Sequence, residues 1–162
     1  MATAAQLRDS LRQASLRITA PRLAVLASLG RAASHKTADS IALLAAQRLG
    51  RLSTQAVYDN LRVLEQAGLV RRIEPAGSAA LYELRVGDNH HHLICRGCGI
   101  THDLDCATGS APCLKPSVAH GFLIDEAEVI FWGYCPACAA GSKKPRPTRA
   151  PVKKPKLFSV NK

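Results

Sequence analysis

Two identical spacings, Cys95-Arg96-Gly97-Cys98 and Cys135-Pro136-Ala137-Cys138, constrain this chain more than any other feature. Each pair can chelate one metal across a tight turn containing Gly or Pro, and two pairs complete a tetrahedral thiolate set. Such a set favours zinc and leaves no open position for catalysis, so a structural Zn(2+) is expected at Cys95, Cys98, Cys135 and Cys138. The 36 residues between the pairs exceed the spacing of a small zinc ribbon, so the ion would join the two ends of a domain. Two separate redox pairs are the alternative, but that chemistry usually sits at a helix start in a βαβ context, which this pattern lacks.

What surrounds the cysteines reads as an α+β chain. Leu7 and Leu11 repeat at helical spacing within residues 4–14, and Thr19 and Pro21 open a second helix carrying Leu23, Leu26 and Leu29. Thr37 can cap a third helix that Gly50 ends, and Ser53 a fourth that Gly68 ends. Then come two strand-like stretches, residues 69–73 and 80–85, joined by the turn EPAGSA. Three helices, a capped recognition-type helix and a hairpin wing describe a winged helix-turn-helix over residues 1–86. Residues 87–140 alternate strand patterns with one short helix expected near 113–120, a compact α+β unit. With one Trp, three Tyr and three Phe, the cores must be mainly aliphatic.

Charge separates the same pieces. Residues 1–86 hold twelve Lys and Arg against six acidic residues, residues 87–140 two against six, and residues 141–162 eight against none. A basic first half suits a polyanion, and an acidic, histidine-rich middle suits cations. The proline-rich basic tail 141–162 has little apolar area to bury and is expected to be a disordered, solubilising or phosphate-binding arm. No apolar run approaches the roughly 18 residues of a membrane span, and Arg8 and Asp9 interrupt the opening where a signal peptide would be apolar. A cytoplasmic protein with no membrane partner is expected.

On the fourth helix, Val57, Leu61 and Leu64 share an inward face, leaving Thr54, Gln55, Tyr58, Asp59 and Arg62 outward. Gln can read adenine edges and Tyr can pack on a thymine methyl or bond phosphate, while Arg71, Arg72 and Arg85 on the wing supply sequence-independent affinity. A merely solvated face is the competing reading.

His90, His91 and His92 precede the first cysteine pair in an extended segment, so His90 and His92 share a face and His91 points away. Carboxylates at Glu83 and Asp103, with His35, could complete a nitrogen-and-oxygen set suited to iron, manganese or zinc. Spacing leaves open whether these five converge or are surface groups. His102 and His120 are read as surface or satisfied histidines, and Phe131 and Trp132 as core or dimer contacts. Cys106 and Cys113 read either as small buried residues or as a redox pair.

Taken together, LRITAPRLAVL, HKTADSI, QAVYDNLRVLEQAGLV, YEL, HHHLICRGCG and YCPAC, in this order, resemble the ferric uptake regulator (Fur) family over roughly residues 7–138. The stretches RRIEPAGS, VGDNHHH and HGFLIDEAEV are most similar to its peroxide-responsive PerR branch, especially the catalase-controlling regulators. The resemblance implies a non-enzymatic, metal-dependent repressor, homodimeric through a small α/β dimerisation domain, on a palindromic double-stranded operator. It implies regulatory Fe(2+) or Mn(2+) at His35, Glu83, His90, His92 and Asp103, and DNA contacts from Arg17, Gln55, Tyr58 and Arg62. Asn89, Ser110 and Ala127 stand where auxiliary-site ligands are expected, so that site should be empty. Peroxide sensors usually carry Asp where this chain has Glu83, and many members carry Arg where it has Asp59. The alternatives are sensing of iron or zinc abundance, a thiol switch at Cys106 and Cys113, and a zinc-bound interaction module. A zinc deaminase would need a His-x-Glu that the chain lacks.

Overall fold

A computed structural model describes residues 3–30, 35–84, 86–125 and 127–141. The order is α1 (Ala4–Gln13), α2 (Ala20–Leu29), β1 (Lys36–Thr37), α3 (Ala38–Leu49), α4 (Thr54–Gln66), β2 (Arg71–Ile73) and β3 (Leu81–Glu83). It continues with β4 (His90–Cys95), β5 (Thr101–Asp105), β6 (Ile130–Gly133) and α5 (Pro136–Ala139). The architecture is α+β, a winged helix-turn-helix followed by a second small sheet.

Side-chain caps set the helix starts. Thr19, Thr37 and Ser53 each accept a backbone N–H of the first turn, satisfying donors that a helix leaves unpaired. Thr3 and Gln6 add a reciprocal capping box at α1. Leu11, Leu26, Leu29, Ile41, Leu61 and Leu64 are almost wholly buried in one aliphatic core under the wing. Each such side chain contributes about 1.5–3 kcal/mol of burial. The expected hairpin is shorter than its sequence pattern, and β1 joins it to give the order β1-β3-β2.

The second sheet, order β5-β4-β6, pairs β4 antiparallel with β5 and parallel with β6. The short helix expected near 113–120 does not form. Pro116 drives Lys115 away from helical geometry, and His120 adopts a left-handed φ of 49° that ends any helix in the four residues left. Leu114 and Val118 are exposed, so no apolar stripe is there to stabilise one. Among the described residues of this half, the buried apolar side chains are Ile94 and Cys95, while His90, His91 and His92 are all buried. A unit with so little aliphatic core needs another source of cohesion, and metal coordination is the usual one. The basic tail lies outside the described residues apart from Gly141, as does Arg85. No described helix is long and apolar enough to cross a membrane.

Candidate functional site

Strand register assembles the histidines and carboxylates. In the wing sheet Lys36 pairs with Tyr82 antiparallel, which carries His35, one residue earlier, to Glu83, one residue later. In the second sheet His92 and Asp103 are direct cross-strand partners. The two pairs meet: His35 Nε2 lies 3.0 Å from Glu83 Oε2 and 2.9 Å from Asp103 Oδ1, and His92 Nε2 lies 3.4 Å from Glu83 Oε1. One donor atom from each of His35, Glu83, His92 and Asp103 falls within 4.8 Å of the others. All four side chains are at most 5% exposed.

These approaches are not ordinary hydrogen bonds. His35 Nε2, His92 Nε2 and Glu83 Oε2 are buried without an aligned partner, which costs about 1–3 kcal/mol per group. Two imidazoles and two carboxylates crowded together without hydrogen-bond alignment suit a shared cation, so the residues fit an iron, manganese or zinc ion. Burial pushes the Glu83 carboxyl up, but the facing imidazoles of His35, His92 and His90 outweigh it and hold the group at about 2. Glu83 therefore offers a carboxylate donor at neutral pH.

His90 stands beside this group rather than within it. Its Nε2 is 3.1 Å from Glu83 Oε1 and its Nδ1 is 2.9 Å from Asp88 Oδ1. Asp88 is a partner that the sequence reading misses; a carboxylate two residues before a histidine on a strand is the available signal. Glu128, 3.9 Å from His92 Nδ1, is another, and nothing local in the sequence points to it.

Parallel pairing of β4 with β6 sets Cys95 opposite Gly133, and the turn beyond each strand then carries the cysteine pairs together. Cys98 Sγ lies 3.8 Å from Cys135 Sγ, and all four sulfurs lie within 4.8 Å of one another. A zinc tetrahedron with Zn–S bonds of about 2.3 Å has edges of about 3.8 Å. Backbone N–H groups of Cys135 and Cys98 hold the Cys95 thiol at about 6. Burial and the three neighbouring thiols push Cys138 up to about 12, a crowding that a dication relieves. The four thiols fit zinc.

On α4, Val57, Leu61 and Leu64 are buried, and Thr54, Gln55, Tyr58, Asp59 and Arg62 are exposed. Gln55 Nε2 donates to Asp59 Oδ1 at 3.0 Å, so the two outward heads are coupled. Arg17 is exposed ahead of α2. Cys106 and Cys113 are half-buried, neither in a packed core nor bonded to each other. Both lie against His91 on the opposite face of β4 from His90 and His92. A hydrogen bond from Thr108 holds the Cys106 thiol at about 6, whereas burial pushes Cys113 up. His102 and His120 are exposed.

Comparison with known proteins agrees with this architecture. Residues 13–131 match the model of the ferric uptake regulator family. The transcriptional regulator FurA of Mycobacterium tuberculosis is 55% identical over 133 residues, 81% of this chain and 88% of that protein. The peroxide operon regulator of Bacillus subtilis is 29% identical over 133 residues, 81% of this chain and 90% of that protein. Among solved structures, the ferric uptake regulator of Helicobacter pylori shares the fold with a TM-score of 0.62 at 20% identity, covering 85% of this chain and 95% of that one.

Proposed function

The chain belongs to the ferric uptake regulator family, and from that premise we propose that this metal-dependent transcriptional regulator is a repressor released from DNA by peroxide. The reading is carried by the convergence of His35 and Glu83, from residues 1–86, with His92 and Asp103, from residues 87–140. A cation gripped by both halves fixes the angle between them. It shifts the population toward the DNA-competent form by its differential affinity for that form. His90, whose Nε2 lies 3.1 Å from Glu83 Oε1, would complete the set.

Two chains acting together turn that angle into affinity. Phe122, Leu123, Phe131 and Tyr134 are exposed on the second half, an apolar surface suited to pairing with another copy. Two α4 helices then reach adjacent major-groove half-sites of a palindromic operator only when correctly spaced. Gln55 and Tyr58 face bases, and Arg62 and Arg17 face the backbone and minor groove. Zn(2+) at Cys95, Cys98, Cys135 and Cys138 holds the ends of the pairing half.

Fe(2+) held by these residues would supply the redox chemistry that activates peroxide beside His35 and His90, with iron returned to Fe(2+) and the net change being one oxygen atom added to an imidazole and one water released. Asp88 and Glu83 hold the His90 ring fixed from both nitrogens. Oxidation of either ring removes a donor and frees the halves. Mn(2+) fits the same donors. The similarity to the Bacillus subtilis peroxide operon regulator supports the peroxide reading.

A second reading, sensing of iron or zinc abundance, is favoured by Glu83 where peroxide sensors usually carry Asp. Mass spectrometry of the iron form after peroxide separates the two. One added oxygen on His35 or His90, with loss of the DNA mobility shift, is expected. Unmodified histidines on protein that still binds DNA would leave abundance sensing in its place. Elemental analysis around a chelation step should find one retained zinc per chain and a removable second metal that DNA binding needs.

A further inference from the structure

We propose that His91, Cys106 and Cys113 form a third metal site, for a thiophilic divalent cation of the zinc class. Strand alternation turns His91 away from His90 and His92, and the ring is 8% exposed, with its Nδ1 buried and without a hydrogen-bond partner. Cys113 Sγ lies 3.4 Å from His91 Nε2, and one donor atom from each of the three residues falls within 4.8 Å of the others. Donors sharing one ion through bonds of about 2.0–2.3 Å sit roughly 3.3–4.0 Å apart, so the set closes on a cation with small shifts. Two thiolates and an imidazole select a borderline-soft ion over Mg(2+) or Ca(2+).

The loop from Cys106 to Cys113 is built rather than open. Gly109 N donates to Cys106 O at 3.2 Å, Thr108 Oγ1 to Ser110 O at 3.2 Å, and Asn89 Nδ2 to Ser110 O at 2.7 Å. Asn89 therefore commits its amide nitrogen to the Ser110 backbone carbonyl, and Ala127 offers only a carbonyl, 3.8 Å from Cys113 Sγ. The expected auxiliary ligands are absent, and a different, sulfur-bearing set occupies the same end of β4.

The test uses full-length, reduced protein whose four-cysteine centre holds zinc, titrated with Co(2+) without oxygen. Thiolate-to-cobalt charge transfer reports sulfur ligation, which the nitrogen-and-oxygen centre cannot give. We expect such a band saturating near one equivalent, with bound zinc unchanged, and bleaching when free Zn(2+) is added. The Cys106→Ser/Cys113→Ser variant should lose the band while keeping its zinc, which also reports that it folds. The single variant Cys106→Ser should weaken the band. No band in the parent protein, or an equal band in the double variant from cobalt entering the four-cysteine centre, overturns the proposal.

Discussion

Replacing Gly97 by Ala tests whether Cys138 is held as a metal ligand. A methyl built on Gly97 meets Cys138 Sγ at 2.8 Å, Cys138 Cβ at 3.0 Å and Tyr134 Cδ1 at 3.6 Å. The first contact is shorter than packed atoms tolerate, so something must move. A free cysteine would rotate aside at little cost. A sulfur fixed by zinc cannot rotate without lengthening its bond, and its backbone is tied into α5, where Ala139 N donates to Cys135 O at 2.8 Å. Overpacking of this kind costs about 1–3 kcal/mol, which set against zinc binding weakens it roughly 5- to 150-fold. Competition with a chromogenic chelator measures the zinc affinity. Gly133→Ala is the control, because its added methyl meets nothing within 4 Å on the neighbouring strand. If Gly97→Ala holds zinc as tightly as the parent while Gly133→Ala is also neutral, Cys138 is not a constrained ligand and the reasoning fails.

Other substitutions probe the remaining parts. His92→Ala, which removes a fully buried donor, should abolish binding of the removable metal and the metal-dependent mobility shift while one zinc stays bound; an intact shift would contradict the regulatory role. Leu61→Ala empties a site 1% exposed in the winged-helix core and should lower stability by about 2–5 kcal/mol in denaturant unfolding, whereas a neutral result refutes that packing. Arg62→Ala, at an exposed position on α4, should weaken operator binding uniformly across sequences and reduce the slope of log K against log salt by about one, while an unchanged slope rules out a phosphate contact. Asp59→Ala frees the Gln55 amide from its 3.0 Å hydrogen bond and should change base preference in a half-site selection; identical selected sequences would show that Gln55 does not read a base.

Local chemistry is legible in the sequence because it is decided within a few residues. The capping side chains Thr19, Thr37 and Ser53 and the buried stripe Val57, Leu61 and Leu64 all follow from residue type and spacing alone. The two-residue strand β1 does not. Lys36 and Thr37 carry no strand pattern, and they become one only by pairing with β3, more than forty residues on. Without that register His35 is a loop histidine with no address. Alternation tells which way His91 points, but not that a loop bearing Cys106 and Cys113 folds back to meet it. The helix expected at 113–120 is defeated by the restriction that Pro116 places on the residue before it, which outweighs the composition of the stretch.

Strand β4 serves two masters. His92 and Cys95 lie three residues, about 10 Å, along one extended backbone, so the strand that would help keep zinc also aims the imidazole toward Glu83 across the halves. Were zinc to come and go as readily as the second metal, its loss would loosen β4, misalign His92 and silence the repressor without any signal having arrived. A tightly held ion at the four sulfurs would thus protect the fidelity of the message as well as the shape of the domain.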